Sequence, residues 1–157
     1  MRRKDREVTD VNEIIGMIEK CDVCRLAMID HDKPYIVPMN FGFSFKDATI
    51  TLYFHCATEG RKIDVLKANQ NVCLEMDCGH ELIAGNTGCS CSMAYESVIG
   101  NGKAEFLEGA QAKTFALTQI MKKYTDRSAF DFDEKVLTHL CAFQVVVSDF
   151  TGKRHSK

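Results

Sequence analysis

Hydrophobic and polar residues alternate over most of this chain, and the period changes where the chain turns. From Thr49 the sequence reads T-I-T-L-Y-F-H-C-A. Ile50, Leu52 and Phe54 fall on one side, and Thr49, Thr51, Tyr53 and His55 on the other, the period of two of a half-buried strand. A glycine-containing turn follows, Cys56 to Gly60. Next comes a short helical pattern with Ile63, Val65 and Leu66 on its apolar side and Lys67, Asn69 and Gln70 on its polar side. Asn69 to Asn71 stops it, and Val72 to Met76 begins another strand.

The flanking sequence gives the remaining elements. Asp10-Val11-Asn12-Glu13 reads as a capping box opening a helix whose Val11, Ile14, Ile15 and Ile18 share a face, ending near Lys20. Val23 to Asp30 and Tyr35 to Phe43 read as a hairpin turning at His31-Asp32-Lys33-Pro34. Pro38 interrupts its second strand and marks an edge, a strand start or a bulge, since proline donates nothing to a ladder. Phe45 to Ala48 is a turn. Cys78 to Cys91 holds several glycines and little periodicity, and reads as a long loop. Ser92 to Leu107 is a long strand whose Gly100 and Gly102 suggest a bend. Ala110 to Tyr124 is a helix with Phe115, Ala116, Ile120 and Met121 as its core side. Asp131 to Thr138 is a shorter helix, His139 to Phe150 a last strand, and Thr151-Gly152-Lys153-Arg154 closes the chain. Six or seven strands and three or four helices without repeated β–α alternation disfavour a doubly wound sheet. They predict a mainly β fold, an antiparallel barrel with helices packed outside.

Composition narrows this further. A chain of 157 residues that is 45% hydrophobic makes one domain with a real core, residues 1–157. A net charge of −2 does not suggest a broad nucleic-acid face. No apolar run approaches the roughly 20 residues of a membrane helix, and Met-Arg-Arg-Lys is not followed by a signal-peptide core. Eight cysteines in this setting point to reduced thiols and a cytoplasmic location. Cys21-x-x-Cys24, Cys78-x-His80 and Cys89-x-Cys91 have irregular spacings and no second C-x-x-C, so buried inert thiols are preferred to a zinc or iron–sulfur site. Asp22, Asp30 and Asp77 are scattered and read as surface residues.

One local conflict stands out. Arg61 and Lys62 occupy the first turn of the short helix, where the macrodipole is already positive and cations cost roughly 0.3–1 kcal/mol each if exposed. An anion on that turn resolves the conflict, taking backbone N–H groups and both side chains together. The plain alternative is two solvated cations whose small cost is tolerated. No nucleophile triad, zinc-protease motif, P-loop or paired carboxylate is present, so any chemistry rests on a bound cofactor.

The order strand, small-residue turn, G-R-K, short helix, N-x-x-V strand resembles the phosphate-binding segment of the flavin-binding split-barrel superfamily, which includes the pyridoxamine-phosphate oxidases and the nitroimidazole-resistance proteins. F-H-C-A-x-x-G-R-K-I-D-x-L-K-x-N is most similar to the nitroimidazole-resistance branch. P-Y-I-V-P-M-N-F-G, Y-E-S-V-I-G-N-G-K-A and the closing T-G-K-R carry the likeness along most of the chain. The resemblance implies a split β-barrel and an FMN cofactor. Gly60, Arg61 and Lys62 would hold its phosphate, with His55 and Cys56 near the phosphate end or ring edge. Val37, Pro38, Met39, Asn40 and Phe41 would lie along the ring, and Ser97 would add a contact. Lys103 is a weaker candidate whose plain reading is a solvated strand residue. His55 is the candidate proton donor; a strand-end histidine bonded to a carbonyl is its plain alternative. Two protomers would pack with flavin at their interface as a homodimer. The implied activity is reduction of small electron-poor compounds, with reduced nicotinamide as a candidate donor. A flavin- or haem-holding module without turnover is the other reading. Two features depart from the oxidases. The chain ends G-K-R-H-S-K instead of in an R-L-x-P tail, which disfavours a vitamin B6 oxidase, and it contains no Trp to stack on a flavin.

Overall fold

The computed structural model describes residues 2–156. One antiparallel sheet of eight strands dominates it: β1 (Glu7–Val8), β2 (Cys24–Asp30), β3 (Lys33–Met39), β4 (Gly42–Lys46), β5 (Thr49–Ala57), β6 (Asn71–Ile83), β7 (Ser92–Leu107) and β8 (Leu140–His155). Four helices accompany it: α1 (Val11–Lys20), α2 (Arg61–Ala68), α3 (Gly109–Tyr124) and α4 (Glu134–Thr138). The strand beyond the expected six or seven comes from β1, too short to carry a period, and from the division of Tyr35–Phe43 between β3 and β4.

The strand order is β3-β2-β6-β7-β8-β5-β4, with β1 added to β8. Its two edges, β3 and β4, are consecutive in the chain and joined only by Asn40 and Phe41. Two residues span at most roughly 10 Å, so the sheet must curl until its edges approach each other. No ladder joins them, and the barrel is split there. Pro38 lies on the edge strand opposite Arg25 in a ladder without a register shift. Of the three sequence readings of this proline, the edge is the correct one.

Inside the barrel Ile50, Leu52 and Phe54 meet Phe143, Val145 and Val147 of β8, with Phe54 and Phe143 stacked at 5.1 Å. Helix α1 adds Ile14, Met17 and Ile18 to this core. Asp10 caps it by accepting from the Asn12 N–H at 2.8 Å. Glu13 does not close the expected box but pairs with Arg154 at 2.6 Å. Outside the barrel, α3 and α4 cover Tyr53 and Ala142 with Ala116, Leu117, Ile120 and Leu137. Tyr53 is therefore buried although it faces away from the barrel core. Phe115, expected inside, is 50% exposed and meets Tyr53 edge-on at 5.4 Å.

Helix α3 packs directly on the backbone of β4. A Cβ on Gly42 would come within 2.3 Å of the Gln119 carbonyl carbon and the Ile120 nitrogen. The same helix fastens the β3–β4 joint: Phe41 N–H donates to Tyr124 Oη at 3.1 Å, and Tyr124 O–H donates to the Asp22 carbonyl at 2.6 Å.

Further sequence expectations need correction. The loop expected from Cys78 to Cys91 is shorter, because β6 runs on to Ile83 past an irregularity between Cys78 and Glu81. The last strand does not stop at Phe150 but continues through Thr151–Arg154 to His155. Asp77 is no idle surface charge, since it pairs with Arg25 and His80. The bend predicted from Gly100 and Gly102 is present as a register shift between Asn101 and Gly102. Among the described residues no three His, Cys, Asp or Glu side chains converge as a metal site, and no helix is long and apolar enough to cross a membrane.

Candidate functional site at the split of the barrel

Strand β4 pairs with β5 only from Thr49 to Tyr53, whereas β8 pairs with it as far as Ala57. His55, Cys56 and Ala57 thus overhang β4 and are held from one side. Their other side faces the split, across which runs the free edge of β3. Helix α2 begins at this corner.

Gly60 is the N-cap of α2, with φ of +127° and no side chain capping the helix. That φ favours glycine, because a side chain there is strained. Among the described residues, nothing beyond its own chain neighbours lies within 4 Å of where its Cβ would stand. Ile63 and Asp64 N–H donate to the Gly60 carbonyl at 2.8 and 3.2 Å. The N–H groups of Arg61 and Lys62, in the same first turn, have no acceptor among the described residues. The corner therefore combines open space, free donors and the positive end of a helix.

Arg61 spans the split. Its Nε–H donates to Asp30 Oδ2 on β2 at 2.8 Å, and its guanidinium lies over the Tyr35 ring of β3, 4.3 Å from the centroid. His31 Nδ1 stands 2.8 Å from the other Asp30 oxygen. The Arg61 guanidinium, and secondarily His31, hold the Asp30 carboxyl below its usual pKa. Asp30, read from sequence as plain surface, is an anchor: its side chain is 21% exposed against 59% for Arg61. Only Nε is used, so the four N–H groups of the terminal nitrogens remain without a partner among the described residues. Residues of α2 and β2, Arg61, Asp64, Val65 and Asp30 among them, line a cleft of about 550 Å³ here.

Lys62 serves the other side. Packing around the His55 ring, helped by the nearby Lys62 ammonium, lowers the imidazole pKa below its ordinary value. Burial raises the Cys56 thiol, against the pull of Lys62. His55 itself is exposed, on the face opposite Ile50, Leu52 and Phe54 as the alternation predicts.

The segment predicted to face a flat ligand divides between core and edge. Met39 and Phe41 are buried, Val37 packs against the barrel core, and Pro38 and Asn40 are exposed. Contact with a ligand along this stretch would fall to the β3 backbone and to Pro38 and Asn40. Gly60, Arg61, Lys62, His55 and Cys56 lie at the end of β5 and the start of α2, and the 37–41 segment lies at the end of β3 and its joint with β4. Ser97 does not join them. It lies opposite Lys153, while Leu107 lies opposite Ala142, the ladder partner of His55. Ten residues of β7 separate the two levels, on the order of 30 Å of strand. Lys103, also on β7, is exposed opposite Asn71 and Val146. The sequence missed Asp30 and Tyr35, because their relation to Arg61 exists only once the hairpin folds under α2.

Comparison with known proteins agrees with this architecture. Residues 10–154 match the family model described as pyridoxamine 5'-phosphate oxidase. No curated protein matches the sequence. Among solved structures, a candidate 5-nitroimidazole antibiotic resistance protein from Bacteroides thetaiotaomicron superposes with a TM-score of 0.83 at 37% identity, over 94% of this chain and 86% of that one. The flavocytochrome Anf3 from Azotobacter vinelandii superposes at 0.81 with 15% identity, over 100% of this chain and 72% of that one. An FAD and haem binding protein from Mycobacterium smegmatis superposes at 0.79 with 12% identity, over 97% and 74%. The last two share the fold alone. With a family model spanning nearly the whole chain and a relative at 37% identity, this protein belongs to the pyridoxamine 5'-phosphate oxidase-like family.

Proposed function

We propose that the protein binds FMN at the split of the barrel and is an oxidoreductase acting on small electron-poor compounds, a substrate class in keeping with the 5-nitroimidazole resistance for which its 37%-identical relative is described. The observation that carries this reading is the start of α2: an uncapped glycine N-terminus with open space, and a guanidinium fixed through Nε with its terminal N–H groups unused. That donor set suits one phosphate group. The overhanging end of β5 and the free edge of β3 offer backbone groups to a planar ring system between them. A bound flavin supplies hydride and electron transfer. The chain's own part is to hold the phosphate with Arg61, Lys62 and the α2 N–H groups, and to keep His55 beside the ligand as a proton carrier.

We expect a homodimer, as the resemblance implies. Within one chain Ser97 lies far from the split, so any contact of Ser97 with the flavin would have to come from a second copy. A reducing cytoplasm suits a chain with eight free thiols. Purified protein should be yellow, release FMN and not FAD on denaturation, and behave as a dimer in light scattering. It should oxidise reduced nicotinamide when a nitroaromatic acceptor is added. A colourless protein that fails to take up added FMN ends this reading, and a yellow dimer without turnover makes it a flavin-holding module instead.

A further inference from the structure

Cys56 and Cys141 are ladder partners, directly opposite each other in the antiparallel pairing of β5 and β8. Directly opposed residues project to the same face of a sheet, and their Cα atoms stand about 4.5 or 5.5 Å apart according to the hydrogen-bonding position. Both spacings fall within the ~4.4–6.8 Å that a disulfide bridges. Cys56 continues the inward series Ile50, Leu52, Phe54, and Cys141 continues Phe143, Val145, Val147. The two thiols therefore sit at the mouth of the barrel, one step beyond the stacked Phe54 and Phe143 rings. Each thiol is close enough to perturb the ionisation of the other. Neither is sealed in: both are half-buried, and Cys141 lines a cleft of about 240 Å³ with Ile63, Phe106 and Lys113.

We propose that Cys56 and Cys141 form a vicinal dithiol site, open to low-molecular-weight disulfides and closed by them into a cross-strand disulfide. The exchange balances without further reagents. One thiolate attacks a sulfur of the small disulfide, forming a mixed disulfide and expelling one small thiolate. The second cysteine attacks the protein sulfur of that bond and expels the other. Two protein thiols and one small disulfide become one protein disulfide and two small thiols.

The remaining cysteines lack this combination. Cys21 perturbs the ionisation of Cys78 but is buried at the end of α1. Cys89 and Cys91 are exposed on a loop without a ladder to oppose them. Burial raises both thiols of the proposed pair, Cys141 to about 11. The reaction is consequently slow near neutrality and accelerates with rising pH. In a reducing cytoplasm the site stays open and closes only under disulfide stress. The bond would tie the overhanging end of β5, which leads into the α2 turn, to the centre of the sheet.

The test uses the whole protein, reduced and freed of flavin, so its outcome does not depend on cofactor binding. It is incubated with oxidised glutathione at pH 7 and pH 9, quenched by alkylation and mapped by peptide mass spectrometry. The expected result is a linked pair of peptides containing Cys56 and Cys141, formed at least tenfold faster at the higher pH. In Cys141→Ser, Cys56 should instead accumulate as its glutathione adduct. Should that variant fail to fold, the wild-type map alone decides. Recovery of Cys56 and Cys141 fully alkylated, while Cys89 and Cys91 have reacted, overturns the proposal. So does linkage of either cysteine to any other cysteine in preference to its ladder partner.

Discussion

Arg61 and Asp30 form the pair on which the proposed anion site turns, and a double-mutant cycle separates anchoring from competition. Removing the Arg61 side chain deletes the terminal N–H groups that face open space. One lost hydrogen bond to a charged partner is worth roughly 1.5–3 kcal/mol, so Arg61→Ala should weaken FMN binding by about ten- to 150-fold. Asp30→Asn keeps the shape but removes the charge that aligns the guanidinium. With Arg61 59% exposed, that ion pair belongs to the surface class worth about 0–1 kcal/mol. The expected loss is therefore at most about fivefold. In the Arg61→Ala background Asp30→Asn should cost nothing, and it should tighten binding slightly by removing a carboxylate near a phosphate. Titration of flavin-free protein, followed by quenching of FMN fluorescence, measures all four affinities. Riboflavin, which lacks the phosphate, should bind wild type and Arg61→Ala equally. If Asp30→Asn instead tightens FMN binding in the wild-type background, Asp30 holds Arg61 away from the ligand and the anchor reasoning is wrong. If Arg61→Ala changes nothing, the phosphate lies elsewhere.

His55 and Gly42 give two further tests. A folded-state pKa below the ordinary imidazole value means that the unfolded chain binds more protons below about pH 6.5. Any stability owed to neutral His55 is then fully present above that pH and lost as pH falls through the folded pKa, and His55→Gln should flatten the stability slope below about pH 6.5. FMN should raise the His55 pKa, seen by NMR, because a phosphate offsets Lys62; no shift on binding would remove His55 from the site. His55→Ala should keep flavin yet reduce acceptor turnover by about 10²-fold, the low end for a general acid, whereas full turnover assigns it a structural role. Gly42→Ala should destabilise the fold by about 1–3 kcal/mol or more in urea unfolding, because its Cβ meets the backbone of α3, which cannot rotate away. A neutral effect there would show that α3 can lift from β4.

Much of this architecture was legible in the sequence because its strands are long and one-sided. The alternation from Ile50 to Phe54 survives intact in the structure. It misleads only at Tyr53, which the alternation assigns to the polar face and which α3 covers. That burial depends on a helix more than fifty residues away. The turn at Gly60 was legible for a different reason: two cations at a helix start are a local conflict, visible without any tertiary contact. Its anchor was not, because Asp30 reaches Arg61 only after the β2–β3 hairpin folds under α2, and no local pattern marks an ion pair 31 residues apart. The edge role of Pro38 was one reading among three until strand order put β3 at the end of the sheet. The 78–91 loop was overextended because the irregular end of β6 has glycine and charge where a period of two is expected.

The site's location follows from one mismatch of lengths. Strand β5 has nine residues and β4 has five, so four residues of β5 extend beyond its neighbour. An unpaired strand edge carries backbone donors and acceptors that must be met by something. Here the overhang faces a second unpaired edge, β3, across the split, and α2 starts at the gap with its own unmet N–H groups. Arg61 crosses that gap to reach Asp30 and Tyr35. A planar ligand with hydrogen-bonding groups on its rim and an anion at one end would satisfy all three sets of groups together. The same overhang leaves Cys56 fastened by β8 alone, opposite Cys141. A bond between those sulfurs would stiffen the lip that carries His55 toward the gap. The proposed flavin site and the proposed dithiol share a single strand end, so closing the dithiol should change the rate at which FMN enters and leaves the split.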